Sequence, residues 1–226
     1  MKKLVVISLG GSIIIPDDVD KEFLEKFKKI VLKNTNKCKF IIVCGGGSLA
    51  RKYIAALKDK PQIIQGIAGI SATRNNAKFM SLFFGQDPEK EIPKKFNEVK
   101  ELIKKQDVVF CGGLELKPHQ TTDTNAADLA IAFKVPFINL TNVQGLYDKN
   151  PRKNKDAKFI PQISWKEFHK IANSIKFKPG QHFVLDQEAS EIIMKHKITT
   201  YILGKNAKNL ENFLKRKSFK GTVIEG

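Results

Sequence analysis

An apolar run, Ile41-Ile42-Val43-Cys44, breaks at Gly45-Gly46-Gly47 and gives way at once to a helical pattern that opens Ser48-Leu49-Ala50-Arg51. A buried strand that ends in glycines and feeds a helix N-terminus constrains the fold more than any other stretch of this chain. The N-terminus of a helix presents unpaired N–H groups and the positive end of a dipole, and both favour an anion. Glycines let the backbone approach an oxygen-rich ligand with no Cβ in the way. The same glycines could also serve only a strained turn, and these residues alone leave both readings open.

The pattern recurs along the chain. A β-branched run at residues 4–9 ends in Gly10-Gly11-Ser12, a run at 39–44 in the triple glycine, and a run at 108–111 in Gly112-Gly113. A fourth at 136–140 leads into Thr141-Asn142. Between them lie stretches with apolar residues at helical spacing: 17–33, 48–57, 63–84, 97–105 and 125–133, the last capped by Asp123 or a threonine. Later helices are expected at 165–172, 186–195 and 210–215, with strands at 199–203 and 222–224. Strands alternating with helices predict an α/β fold, a mostly parallel sheet covered on both faces. Ligands of such sheets bind beyond the carboxyl ends of the strands. Four successive turns would then share one edge, with room for two phosphorylated ligands end to end, as phosphoryl transfer requires. The plainer alternative is that βα turns simply need glycine.

The formal charge is +17 over 226 residues, which raises the question of nucleic acid. The basic residues are nearly all lysine; the arginines are Arg51, Arg74, Arg152 and Arg216. Base readout favours arginine and single-strand binding favours exposed aromatics, whereas the Phe residues here sit at core spacing. A lysine-rich surface facing anionic metabolites is the preferred reading, with nucleic acid disfavoured. No apolar run approaches the ~20 residues that span a bilayer. The opening apolar run is cut by Ser8 and Gly10-Gly11, which predicts a first strand and not a secretory leader. Cys38, Cys44 and Cys111 form no paired motif, as expected of reduced thiols in a cytoplasmic protein. The histidines show no ligand spacing, so no metal held by protein side chains is expected.

Taken in order, several segments resemble the amino-acid kinase superfamily, and within it the archaeal-type uridylate kinases. They are Ile7-Ser8-Leu9-Gly10-Gly11-Ser12, Cys44-Gly45-Gly46-Gly47-Ser48-Leu49-Ala50-Arg51-Lys52-Tyr53 and Thr73-Arg74-Asn75-Asn76-Ala77. Thr121-Thr122-Asp123, Thr141-Asn142-Val143-Gln144-Gly145-Leu146-Tyr147 and Gly221-Thr222-Val223-Ile224 complete the set, which covers essentially the whole chain. The resemblance implies a three-layer αβα sandwich in one domain, residues 1–226. Residues up to about 135 would hold the acceptor and those from about 136 the nucleotide. It implies ATP with Mg²⁺ as donor, UMP as acceptor, and a homo-oligomer, a hexamer or at least a dimer.

Carried over residue by residue, the resemblance implies Gly10, Gly11, Gly47, Arg51, Thr141, Asn142, Tyr147 and Asn150 around ATP. Gly45, Gly46, Gly66, Gly112, Gly113, His119, Thr121 and Thr122 would surround the acceptor. Arg51, Ser12, Lys178 and Asp186 would act at the transferred group. Arg51, one turn beyond the triple glycine, suits a planar donor reaching back between two phosphates. The chain also departs from the family pattern. Ser8 stands where most of the superfamily has lysine, and Gly66, beside Gln65, where uridylate kinases hold the ribose with aspartate. Gln144 and Asn150 replace two further aspartates. These changes leave open a different small acidic or phosphorylated acceptor, or a regulatory protein that binds nucleotide with weakened catalysis.

Overall fold

The computed structural model describes residues 2–115, 121–174 and 184–226. The elements run β1 (Lys3–Leu9), α1 (Gly11–Ile14), α2 (Lys21–Lys33), β2 (Cys38–Cys44), α3 (Gly47–Ala56), α4 (Gln62–Phe83), α5 (Phe96–Lys105), β3 (Val108–Cys111) and α6 (Thr122–Phe133). They continue with β4 (Phe137–Thr141), β5 (Leu146–Tyr147), β6 (Phe159–Ile160), β7 (Gln162–Ile163), α7 (Trp165–Ser174), α8 (Gln187–His196), β8 (Thr200–Gly204), α9 (Ala207–Leu214) and β9 (Thr222–Ile224).

A seven-stranded sheet in the order β3-β2-β1-β4-β8-β9-β7 forms the middle layer. The first five strands of that order are mutually parallel, as the alternating pattern predicts. β9 runs antiparallel to β8, and β7 follows β9, so this flank is reversed. Side chains alternate across the sheet. Val5, Ile7, Leu9, Phe40 and Ile42 pack against Leu24, Phe27 and Met80 on one face. Val6, Ile41 and Val43 pack against Val99, Ala127, Phe168 and Ile193 on the other. The helices thus form layers above and below, giving the αβα sandwich.

Local chemistry moved several expected boundaries. α2 starts at Lys21, not at 17, because the Asp20 carboxylate accepts the Phe23 N–H at 3.2 Å and closes the helix there. Gly10-Gly11 is not a free turn but opens the single helical turn α1. α6 begins at Thr122, with the Thr121 hydroxyl accepting the Thr124 N–H at 3.1 Å; Asp123 is not the cap. The antiparallel pair β5–β6 and the strand β7 escaped the pattern, being two residues each.

The chain runs from β1 outward to β2 and β3, then returns through α6 to β4 on the other flank of β1. The carboxyl ends of β1 and β4 therefore flank the point where the order reverses, where open sheets of this kind take ligands. β1 and β2 are in full register and end together at Leu9 and Cys44. Their turns meet backbone to backbone. A Cβ on Gly11 would lie 2.0 Å from the Gly47 nitrogen, and one on Gly45 would lie 2.5 Å from the Gly11 nitrogen. Gly47 has φ +60°, a left-handed conformation that strains other residues. The Gly45 N–H donates to Leu9 O and the Gly10 N–H to Leu140 O, both at 2.9 Å. Three strand ends are knitted together here.

Gly11→Ala should therefore cost ~3 kcal/mol, the upper end for overpacking, because backbone and not a flexible side chain must give way. Gly66 lies inside α4, and a Cβ there would meet nothing within 4 Å. Gly66→Ala should stabilise by ~0.5–1 kcal/mol through helix propensity. Urea denaturation of the two variants checks the contrast, and equal effects would contradict it.

Candidate active site

The four predicted turns lie on one edge of the sheet, at the carboxyl ends of β1, β2, β3 and β4. Their glycines are needed for packing first. Gly11, Gly45 and Gly47 press on one another, while a Cβ on Gly112 would sit 2.6 Å from the backbone of Thr73 and Arg74. One on Gly46 would sit 3.4 Å from the Thr73 methyl. The Gly10 N–H is already bonded to Leu140 O, so Gly10 borders the site with that donor engaged.

On the α6 face of the sheet, the alternation that buries Val6 points Ser8 the same way. The Ser8 hydroxyl donates to Asp123 Oδ1 at 2.7 Å. Asp123 lies in the first turn of α6. The Thr121 hydroxyl donates to Asp186 Oδ2 at 2.5 Å, and Asp186 Oδ1 accepts the Ala189 N–H at 2.8 Å, capping α8. Asn139 of β4 donates to the Val184 carbonyl nearby. Two helix N-termini, two carboxyls and two hydroxyls thus converge above β1 and β4. The Thr121 hydroxyl expected at the acceptor phosphate instead spends its proton on Asp186. Thr122 is half-buried at the first position of α6.

Asp123 and Asp186 keep some contact with solvent, yet protein packs round their carboxyl groups. Burial, then the Asp186 charge, push the Asp123 carboxyl from an ordinary 3.8 up to about 7, against the opposing Ser8 hydrogen bond. Burial raises Asp186 as well, opposed by the Ala189 N–H and the Thr121 hydroxyl.

Ser12 lies in α1, on the turn that carries Gly11. Arg51 extends from α3 to the Pro16 carbonyl at 3.4 Å, which places its guanidinium beside the loop after α1. Across the edge, Thr141 ends β4, and the Asn142 carbonyl accepts from Arg152 at 3.5 Å. Tyr147 packs edge-on against Phe159, ring centroids 5.4 Å apart. The Asn150 side chain accepts the Arg152 N–H at 2.9 Å, organising the turn that follows. Gly66 is not brought to these turns. It is exposed on α4 about two turns before Thr73, roughly 10 Å along the axis. Lys178 and His119 lie outside the described residues. Asp123 was missed as more than a cap because its partners, Ser8 and Asp186, are far away in sequence. Arg74 and Asn76 stand in a segment that resembles the family, but nothing local points to their partners at Gly113 and Gly45.

The family model described as amino acid kinase family matches residues 3–204. A uridylate kinase of Thermococcus onnurineus is 35% identical over 225 residues, covering 98% of this chain and 99% of that protein. One from Thermoplasma volcanium is 36% identical over 230 residues, 100% of this chain and 99% of that one. The crystal structure of uridylate kinase from Archaeoglobus fulgidus matches with a TM-score of 0.82 at 31% identity, over 99% of this chain and 100% of that one. UMP kinase from Ureaplasma parvum, at 21% identity and a TM-score of 0.80, covers 100% of both chains and shares the fold.

The raised Asp123 has a consequence for stability. Between about pH 4 and about pH 7 the folded chain retains a proton that the unfolded chain has released, so stability falls as pH rises through that window. Asp123→Asn keeps an oxygen for Ser8 and removes the titration. Relative to wild type, its melting temperature should gain several degrees near pH 8 and little near pH 4, at ~2–4 °C per kcal/mol for a chain this size. Parallel pH profiles of the two proteins in thermal melts would refute the assignment.

Proposed function

We propose that this chain, which belongs to the amino acid kinase family, transfers the γ-phosphoryl group of ATP to UMP, giving ADP and UDP. The observation that carries the reading is likeness along the whole chain to proteins named uridylate kinase. In this reading residues from about 136 onward take the nucleotide donor, bordered by Thr141, Asn142, Tyr147 and Asn150. Residues up to about 135 take the acceptor, at Gly45, Gly46, Gly112, Gly113 and Thr122. The donor phosphates lie along Gly10, Gly11, Ser12 and Gly47. A UMP phosphate oxygen attacks the γ-phosphorus in line, and the bond to the β–γ bridging oxygen breaks.

The protein's part is to position the two phosphates and to stabilise charge on the transferred group. Arg51 supplies a planar guanidinium at the junction of the α1 and α3 turns. Asp123, pushed up to about 7, carries its proton through much of the acid-to-neutral range and so spares the phosphates a like charge. Mg²⁺ that accompanies ATP screens the phosphate oxygens. Among the described residues no three His, Cys, Asp or Glu side chains converge on one point. Cys38, Cys44 and Cys111 are free and buried, which suits a reducing cytoplasm. No described helix is long and apolar enough to cross a membrane.

Purified protein with ATP, Mg²⁺ and a panel of nucleoside monophosphates, read by chromatography of the products, should form UDP. Arg51→Ala should lower kcat by ~10²–10³-fold. A wild type that phosphorylates none of the panel would refute the reading, and preference for another monophosphate would reassign the acceptor. The chain is also proposed to form a homo-oligomer through α3 and α4, where Tyr53, Ile63, Ile64 and Ile67 are all at least 40% exposed. Paired Ile64→Asp and Ile67→Asp substitutions should leave a folded protomer of lower mass in sedimentation. An unchanged mass would move the interface elsewhere.

A further inference from the structure

The segment Thr73-Arg74-Asn75-Asn76 lies in the middle of α4 and grips the turns at the ends of both β2 and β3. The buried Asn76 amide donates to the Gly45 carbonyl at 2.7 Å. The Thr73 hydroxyl accepts the Gly113 N–H at 2.8 Å and donates to Ile70 O at 2.6 Å. Arg74 donates through Nε to Gly113 O at 2.8 Å and through Nη2 to Leu114 O at 3.2 Å. One guanidinium thus spans two successive carbonyls, a geometry that a lysine ammonium does not reproduce. From the other side, Asn125 of α6 accepts the Leu114 N–H at 3.4 Å. The contact is close enough that Gly112 has no room for a Cβ against Thr73 and Arg74.

These bonds fix peptide planes, and a trans peptide points its C=O and the next N–H in opposite directions. Holding the Gly45 carbonyl toward α4 turns the Gly46 N–H away from that helix. Holding the Gly113 carbonyl toward Arg74 does the same for the Leu114 N–H, which is directed at Asn125. Neither Thr73 nor Arg74 needs to touch a ligand to decide where these turns present their backbone. Both turns belong to the acceptor side, whereas the donor side is built from β1, β4 and the elements after them.

We infer that Thr73, Arg74 and Asn76 are positioning residues for the acceptor: α4 sets the orientation of the Gly45–Gly46 and Gly113–Leu114 peptides, and through them the affinity for the monophosphate. The inference rests on the reading of the chain as a UMP kinase. Hydrogen exchange of the unliganded protein gives a readout independent of that reading. Thr73→Val and Arg74→Ala should speed exchange in peptides covering residues 112–115, and Thr73→Ser should restore protection. In steady-state kinetics the first two should raise KM for UMP by about tenfold or more while KM for ATP stays within about twofold. Arg74→Lys should fall between Arg74→Ala and wild type.

Unchanged exchange in both variants would overturn the clamp, whatever the activity. Faster exchange with equal rises in both KM values, or with kcat alone reduced, would reduce the segment to a general structural role. A wild type that turns over no monophosphate, with the exchange effects present, would refute the functional reading and leave the turn clamp standing.

Discussion

The contact between the Gly10-Gly11 and Gly45–Gly47 turns is the constraint on which the rest depends. Full register between β1 and β2 delivers both chains to the sheet edge at the same level, one strand spacing (~4.8 Å) apart. Each must then turn into a helix, α1 or α3, without separating. Only backbone fits between them. That explains glycine at 11, 45 and 47 without invoking a ligand, and it brings two helix N-termini side by side as a by-product. Anion affinity at this edge is thus a consequence of how two adjacent βα units pack.

The surroundings have a strongly positive average charge and a locally acidic centre. At a formal +17, the long-range field favours approach of polyanions and, by itself, would lower carboxyl pKa values. At Asp123 the local effects win. Burial beside a second carboxyl outweighs both the distant lysines and the Ser8 hydrogen bond. Many lysines are occupied in exposed pairs of little energetic value. Lys33, Lys208 and Lys215 surround the one carboxylate of Glu211, for instance, which Lys215 and Lys208 hold near 2. These pairs order the surface and leave the centre to its own chemistry.

What the sequence made legible was whatever has a local signature. Continuous apolar runs marked β1 to β4, glycines marked the ends of the first three and Thr141-Asn142 that of the fourth, and alternation with helices placed those ends on one edge. Pairs between residues remote in sequence were not legible. The Ser8–Asp123 bond joins positions 115 residues apart, and Thr121–Asp186 joins positions 65 apart. From sequence, Asp123 looks like a helix cap, because a carboxylate near a helix N-terminus needs no further partner to make sense. Arg74 offered its rarity and a place in a segment that resembles the family, but not its partners, and Gly112, read as part of the acceptor site, also seats α4. The reversed flank of β9 and β7 was hidden by brevity, since strands of two or three residues carry no period.

The serine at position 8 follows from the same electrostatics. A lysine there would face Asp123 and Asp186 and, with both ionised, give a local sum of one negative charge. Ser8 removes the positive charge, and a proton retained on Asp123 removes a negative one, so the sum is again one negative charge while Asp123 stays protonated. The raised carboxyl is therefore what burial beside a second carboxyl produces when the facing side chain is a hydroxyl and not a cation. Its cost is a charge balance that depends on pH, since above about 7 the second negative charge appears with nothing in the Ser8–Asp123–Thr121–Asp186 group to offset it. A hydroxyl donor stabilises either protonation state through a hydrogen bond of similar geometry, which lets this site exist in both.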